Sequence, residues 1–423
     1  MVELVHGQAW TVKEFFVLPN EYIYWAVEIV MYPFMTGLVA GAFVLSSLYH
    51  VFGVKQLKEI ARFALVFSFS LLPVAMMPLM LHLMQPLRGI EVLMTPHFTS
   101  AIAAFGIVFM TYASIVASEL WFIYREHFVR TFQAIEPKAG KTFNEEMKLL
   151  LFKTLTLGAH DISHEAIEAD HRAVSRLAGI GIPVACFLHG YAGFIFGSVK
   201  ANALWMTPLM PVIFIMSAVV SGIALCILVY IAVMEIRKRR AARIRAQKPW
   251  MPSVEQLQDR ELLEVRITTK YLMLFMIFAI TLEILDIIFR GYTAVKSWDI
   301  LRQVIYGRDF VKIFVMQYGI GNVLPFILLI LPGLTFRRSV VAAALVLFGV
   351  FMMRWNVVIG GQSFSLTFNG FMEYHLPILP TSLETFKEGL FGALTVITTP
   401  FVIFFFMNKI FPVFMNEAEK EVH

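Results

Sequence analysis

The chain has 423 residues, 58% hydrophobic and 15% charged, against about 45–50% and about 25% in an ordinary soluble domain. This balance excludes a soluble globule and a disordered chain and leaves a polytopic membrane protein. The formal net charge of +5 fits an orientation signal beside anionic lipid rather than a nucleic-acid surface, so lipid is an expected partner and nucleic acid is not.

The opening MVELVHGQAWTVKEFF lacks the basic stretch and short apolar core of a cleavable signal, so the first span is expected to act as its own insertion signal. Crossing the hydrocarbon takes about 20 apolar residues. Nine runs qualify: 22–49, 61–84, 97–124, 174–199, 208–235, 268–290, 311–331, 337–359 and 388–411. They make one all-α transmembrane domain over 1–411, with about nine helices (8–10) and a short tail at 412–423. Two long polar connections, 125–173 and 236–267, lie between them. With the N-terminus outside, the inner connections hold eighteen Lys and Arg, including RKRRAARIR at 237–245, and the outer segments hold seven. That asymmetry predicts a multi-pass protein of a prokaryotic cell membrane, N-terminus outside and C-terminus cytoplasmic.

Ionisable residues inside spans are rare unless they pair or line a functional cavity. At about 1.5 Å per residue, Glu28, His82, His97, Glu283, Asp286 and Arg354 all fall toward the outer ends of their spans, and His189 lies nearer the middle. Their shared depth predicts one polar site opening toward the outer face. Glu119 sits near the inner end of the third span, where it could extend a proton path inward. Glu235 ends the fifth span beside the basic block and is expected to pair with Arg237 or Arg239.

No span contains two histidines at the spacing that holds b-type haem, and Cys186 and Cys226 cannot form the four-thiolate set of an iron–sulfur cluster. The chain is therefore expected to carry no haem, no cluster and no redox metal. In LGAHDISHEAIEADHR, His160, His164 and His171 fall at i, i+4 and i+11 and would share a helical face with Glu168. The zinc-peptidase order is absent and acids surround them, so a surface helix or partner contact is expected.

GLVAGAF at 37–43 and MQYGIGNVLP at 316–325 place small residues where helices can approach closely. In RWNVVIGGQ at 354–362, Arg354 and Asn356 are expected near the outer boundary, with snorkelling or pairing to Glu283, Asp286 or Glu28 offsetting their burial. Gly360 and Gly361 would end that helix at a turn, and Gln362 would face the same polar layer.

TGLVAGAFVLS, HLMQPLRGIEVL followed by PHFTS, LHGYAGFIFGSVKANALWMTPLMP and RWNVVIGGQ, in that order over about 20–410, resemble the NrfD and polysulfide-reductase (PsrC) type of integral membrane subunit. The pattern is most similar to the DsrP/HybB branch, DsrP-type subunits of the sulfite-reduction-associated membrane complex foremost. The resemblance implies two four-helix bundles, about 22–199 and 208–411, with one extra helix. It implies a quinone site near the outer face, with menaquinone or menaquinol as bound substrate. Carried over by motif location, the quinone-contacting residues would be Asn20, Tyr24, His82, Arg88, His97, His189 and Tyr191.

A quinone reaction moves two electrons and two protons, so hydrogen-bonding side chains must meet the ring oxygens and acids must carry protons. Glu28, Glu119, Glu283 and Asp286 are the proton-transfer candidates, with Arg354, Asn356 and Gln362 in support. Electrons must pass to or from a partner that holds the redox centres. The resemblance implies an extracytoplasmic ferredoxin-like iron–sulfur subunit, with further membrane, cytochrome and cytoplasmic subunits of a Dsr-type complex. A secondary transporter, or an anchor for redox partners without quinone chemistry, would also bury polar groups. A transporter, however, places its site at the midplane between inverted repeats, and no clear repeat is present.

Overall fold

The computed structural model describes residues 8–10, 23–83, 85–100, 102–138, 140–247, 254–292, 298–364 and 371–413. Asn20 and the tail from 414 onward lie outside the described residues. Among the described residues, nine helices are long and apolar enough to cross a membrane. They are Val27–His50, Lys55–His82, Ala103–Ile135, His164–Gly197, Met210–Arg239, Leu262–Tyr292, Val311–Ile330, Phe336–Gly360 and Leu390–Ile410. The protein is an all-α polytopic membrane protein. The first span runs from Val27 at what is here called the upper face to His50 at the lower face.

The third to sixth spans overrun the apolar limits read from sequence. Ala103–Ile135 and His164–Gly197 contain 33 and 34 residues, more than the roughly 20 that hydrocarbon requires. Their polar lower ends continue as helix because no Gly or Pro interrupts the stretches 125–135 and 164–173. Much of the connection 125–173 is thus helical, with a further helix at Phe143–Leu155 started by a Thr142–Glu145 capping box. The backbone and hydroxyl of Thr142, aided by Lys138, hold the pKa of the Glu145 carboxyl down to about 2. Arg125 joins the third and fourth spans at this end through Asp170, 2.7 Å away. Glu235 meets Arg239 at 3.0 Å, one of the two partners expected.

Small residues set the crossings. Gly41 of the first span faces Gly222 of the fifth so closely that a Cβ on either would strike the other helix's backbone. Gly321 of the seventh and Gly349 of the eighth meet in the same way. Lipid tails are as apolar as Leu, so close backbone contact rather than water exclusion favours these pairs. The first span is buried over nearly its whole length and touches the second, fourth, fifth, eighth and ninth. The fifth to eighth spans pack on one another, and the ninth lies against the first and second.

Departures from regular helix shape the upper face, beginning with a π-helical turn at Val304–Arg308 before the seventh span. The seventh span is π-helical over Val311–Val323 and the eighth over Asn356–Gly360. Wider π turns occur often at functional sites. A short antiparallel ribbon pairs Gln8–Trp10 with Met372–Tyr374. It sets Tyr374 over the upper end of the first span, where its hydroxyl accepts from the Val27 amide at 3.2 Å.

Candidate functional site

The upper ends of the first, second and ninth spans bring three titratable side chains together. Glu28 lies in the first turn of its helix and is fully buried, and neither carboxylate oxygen has a hydrogen-bond partner among the described residues. His82 ends the second span and sits 3.3 Å from Glu388, close enough for an ion pair though not aligned as a hydrogen bond. Both side chains keep about a fifth of their surface exposed, 19% and 22%. Glu388 lies two residues before the ninth span, which descends past Glu28: a Cβ on Gly392 would stand 2.8 Å from Glu28 Oε1. Gly392 is therefore what allows the ninth helix to approach this carboxyl. One turn below Glu28, the buried Tyr32 hydroxyl is also without a partner among the described residues.

Aromatic rings extend from this point across the first, third and fourth spans. Tyr32 meets Phe105 edge-on at 5.7 Å, and Phe105 lies 6.3 Å from Tyr191. Tyr191 in turn approaches Phe187 and Phe194 at 5.9 and 5.7 Å, two rings that are 57% and 45% exposed on the apolar flank. Such an arrangement offers acid and imidazole groups at one level and flat apolar surfaces beside them.

His189 and Arg354 occupy a different place from the one expected. Arg354 is fully buried and neither snorkels nor pairs with a carboxylate among the described residues. Its guanidinium bonds His189 Nε2 at 2.9 Å and Ser217 at 2.7 Å, and lies 3.7 Å over the Phe214 ring. His189 stacks on Phe214, approaches the Thr36 hydroxyl at 3.4 Å and faces Gly37, where a methyl group would crowd the imidazole at 3.1 Å. Among the described residues no carboxylate reaches ion-pair distance of Arg354; His189, Ser217 and the ring take its contacts instead, and its Nε has no partner. These contacts join the first, fourth, fifth and eighth spans.

The other acids of the upper layer have partners. Asp286 accepts from Arg290, one turn along the same helix, at 2.9 Å and from Thr207 at 2.6 Å. Arg290 also reaches the carbonyls of Ala203 and Leu204 at 2.7 and 2.9 Å. Glu283 accepts from Gln317 at 2.9 Å, and the Gln317 carbonyl accepts from Asn356 at 2.8 Å. A cavity of about 100 Å³ lies among these groups. The connection NALWMTP locks the layer: Asn202 donates to the Gly361 carbonyl at 2.7 Å and Trp205 to the Val357 carbonyl at 2.6 Å, both beside the π turn.

The eighth span ends at Gly360, as expected, with Gly361 as its cap in an ordinary conformation, φ −65°. Gly361 is required because the Trp205 indole presses against it, leaving no room for a Cβ. Gln362 faces the first span rather than the polar layer. Its carbonyl accepts from the Trp25 amide at 3.0 Å while its amide donates to the Trp25 carbonyl at 3.2 Å.

Arg88 and His97 stand exposed on the hairpin between the second and third spans, bonded to Glu91 and Thr99 respectively. These bonds stay within the hairpin and do not bring either side chain to Glu28 or His82. Tyr24, 43% exposed, precedes the first span. Glu119 is fully buried low in the third span, and neither oxygen has a partner among the described residues. The three lower histidines do not share a helical face, because Ser163 caps the helix and leaves His160 outside it. Glu388 and Arg290 are site residues that the sequence did not single out. Arg290 could have been found from its i, i+4 spacing to Asp286, whereas Glu388 lies in a connection and gives no local signal.

Fold and site define a polytopic membrane protein with a buried acid–histidine cluster at one face. Among the described residues, no three His, Cys, Asp or Glu are placed to hold a metal. The family model of polysulphide reductase, NrfD, matches residues 18–366, and the chain belongs to that family. It is 33% identical to the C component of the selenate reductase of Mesobacillus selenatarsenatis over 216 residues, 50% of this chain and 49% of that protein. It is 23% identical to the putative membrane component of a dimethyl sulfoxide reductase of Halobacterium salinarum over 359 residues, 84% of this chain and 71% of that one. The chain thus spans about half the length of the selenate-reductase relative. Both relatives are named as parts of reductases, and neither name belongs to the sulfite-reduction branch.

Proposed function

We propose that the protein is the quinone-interacting membrane subunit of a respiratory redox complex, oxidising a quinol or reducing a quinone at the upper face. The observation that carries this reading is Glu28, a fully buried carboxyl whose two oxygens meet no partner among the described residues, beside the His82–Glu388 pair. A buried polar atom ordinarily finds a hydrogen bond. An unmatched carboxyl beside an imidazole suits a substrate that brings its own hydroxyls or carbonyls.

Quinol oxidation releases two protons and two electrons. In our reading Glu28 and the His82–Glu388 pair accept the protons from the ring oxygens, and Tyr32, Phe105 and Tyr191 present apolar faces to the ring. The reverse direction uses the same groups as donors. Electrons pass to or from the redox centres of a docked iron–sulfur subunit. The finer reading rests on the four sequence motifs for menaquinone as the quinone, a ferredoxin-like extracytoplasmic partner and a DsrP-type complex linked to sulfur metabolism, and on the Lys and Arg asymmetry of the connections for the N-terminus outside. The names of the two relatives support a reductase complex in general.

The test is lipid extraction and mass spectrometry of the purified complex, together with reduction of the partner's clusters by menaquinol. Retained quinone that disappears in His82→Ala or Glu28→Gln supports the assignment. Cluster reduction insensitive to both changes and to added quinol sinks it.

A further inference from the structure

Directly below the Glu28 cluster lies a feature of opposite chemistry. A crevice of about 320 Å³ is lined only by apolar side chains, among them Phe34, Leu38, Leu71, Phe351, Ile397 and Phe401. The first, second, fifth, eighth and ninth spans all contribute to its wall. Phe348, Ile397 and Phe401 are each more than a third exposed, so the crevice opens sideways on the apolar flank of the molecule. Its volume is at the low end of the range of about 300–1,000 Å³ found for ligand sites.

The crevice and the cluster share helices. Phe34 follows Glu28 by six residues, about 9 Å of helix, and Ile397 follows Gly392, which abuts Glu28, by five, about 7.5 Å. A ligand with a compact polar head at Glu28 would therefore send a chain straight down between the first and ninth spans. Two carboxyls face that head, Glu28 and Glu388, and the imidazole nearest them already sits against Glu388. This charge pattern disfavours the phosphate of a phospholipid and suits an uncharged ring with carbonyl or hydroxyl oxygens.

We infer that this crevice is the tail channel of the quinone site, and that the ninth span is the wall shared by both parts, giving Glu388 to the head and Ile397 and Phe401 to the chain. The inference rests on the reading of the Glu28 cluster as the head site. Isoprenoid units occupy the crevice and leave for the bilayer past Phe348 and Phe401. The channel selects for long-tailed quinones, while the cluster selects for the ring.

The test compares two probes on the purified complex, a long-tailed menaquinol and a tailless naphthoquinol, in the wild type, Ile397→Trp and Glu28→Gln. Ile397→Trp fills the crevice without touching the cluster. It is expected to lower the ratio of kcat/KM for the long-tailed over the tailless quinol by about tenfold, the discrimination that a change of one methylene or so in an apolar pocket carries. Should the tryptophan prevent assembly, Phe401→Ala opens the exposed wall and is expected to lower the same ratio by about threefold. A ratio within about twofold of wild type in an assembled variant overturns the channel. So does a co-purifying phospholipid that Ile397→Trp displaces while the quinone stays bound. Glu28→Gln lowers kcat/KM for both probes together; if it lowers neither, the head site itself is wrong, whatever the ratio does in the other variants.

Discussion

The upper layer contains two polar clusters built from similar residues and left in opposite states. Around Asp286, each charged group meets an opposite charge, a hydroxyl, a carbonyl or an amide, and the NALWMTP connection is tied down by the same bonds, although the Asn356 Oδ1 has no partner among the described residues. Around Glu28, a carboxyl equally deep in the protein is left without a partner among the described residues. Burying a polar group costs free energy unless it is hydrogen-bonded. A satisfied network offsets that cost and adds rigidity, whereas an unsatisfied group is kept where something else will meet it. On the function proposed above, the difference separates a part that holds the spans together from a part that receives the quinone, although depth alone places both in a single site.

The comparison breaks most visibly at Arg290. Removing one partner of a buried ion pair leaves the other charged and uncompensated, at about 3–5 kcal/mol. Arg290→Ala is expected to destabilise the detergent-solubilised protein by that amount, read as a fall in melting temperature and in assembled yield. The double change Asp286→Leu with Arg290→Met removes both charges and is expected to recover much of the loss. If Arg290→Ala melts like wild type, the cluster is not structural and its acids return as proton carriers.

Glu28→Gln is the opposite experiment. It keeps the shape of a side chain that has no hydrogen-bond partner to lose among the described residues, so stability should move by less than about 1 kcal/mol. Quinol turnover should fall by about a hundredfold, the lower range for loss of a general acid or base. Equal loss of stability and turnover would erase the distinction between the clusters. Between these extremes lies Gly361→Ala. The added methyl meets the Trp205 indole, and the strain is expected to cost about 1–3 kcal/mol. Melting curves with and without Trp205→Phe would show whether the indole is the cause.

How much of this was legible in advance follows from the range of each interaction. Span number depends on hydrophobic runs, which are local, and it stands in the structure. Partner choice depends on helix rotation and crossing. Arg354 meets His189, 165 residues away, rather than an acid, and Gln362 meets Trp25, 337 residues away. Glu388 reaches the site because the ninth span folds back onto the first two, which no spacing in the sequence announces. The close-packing glycines were readable as a class. Which glycine faced which helix was not: Gly361 caps the eighth span, as glycine often does, but its contact with the Trp205 indole gave no local signal.

The smallest effect on turnover sharpens the comparison from outside it. Glu119 is also fully buried and unpartnered among the described residues, yet it lies at the lower end of the third span and lines neither cavity described above. Tyr112, two turns above it at about 10.5 Å, lies on the same helical stripe and is itself buried. If lack of a partner alone marked a ligand site, Glu119→Gln should impair quinol turnover as Glu28→Gln does. If Glu119 instead passes protons toward the lower face, turnover of the purified complex should stay within about twofold, because the chemistry at the ring is untouched. Proton translocation per electron in reconstituted vesicles should drop. Unchanged turnover with unchanged translocation removes Glu119 from the mechanism and leaves it as a carboxyl whose burial serves neither cluster.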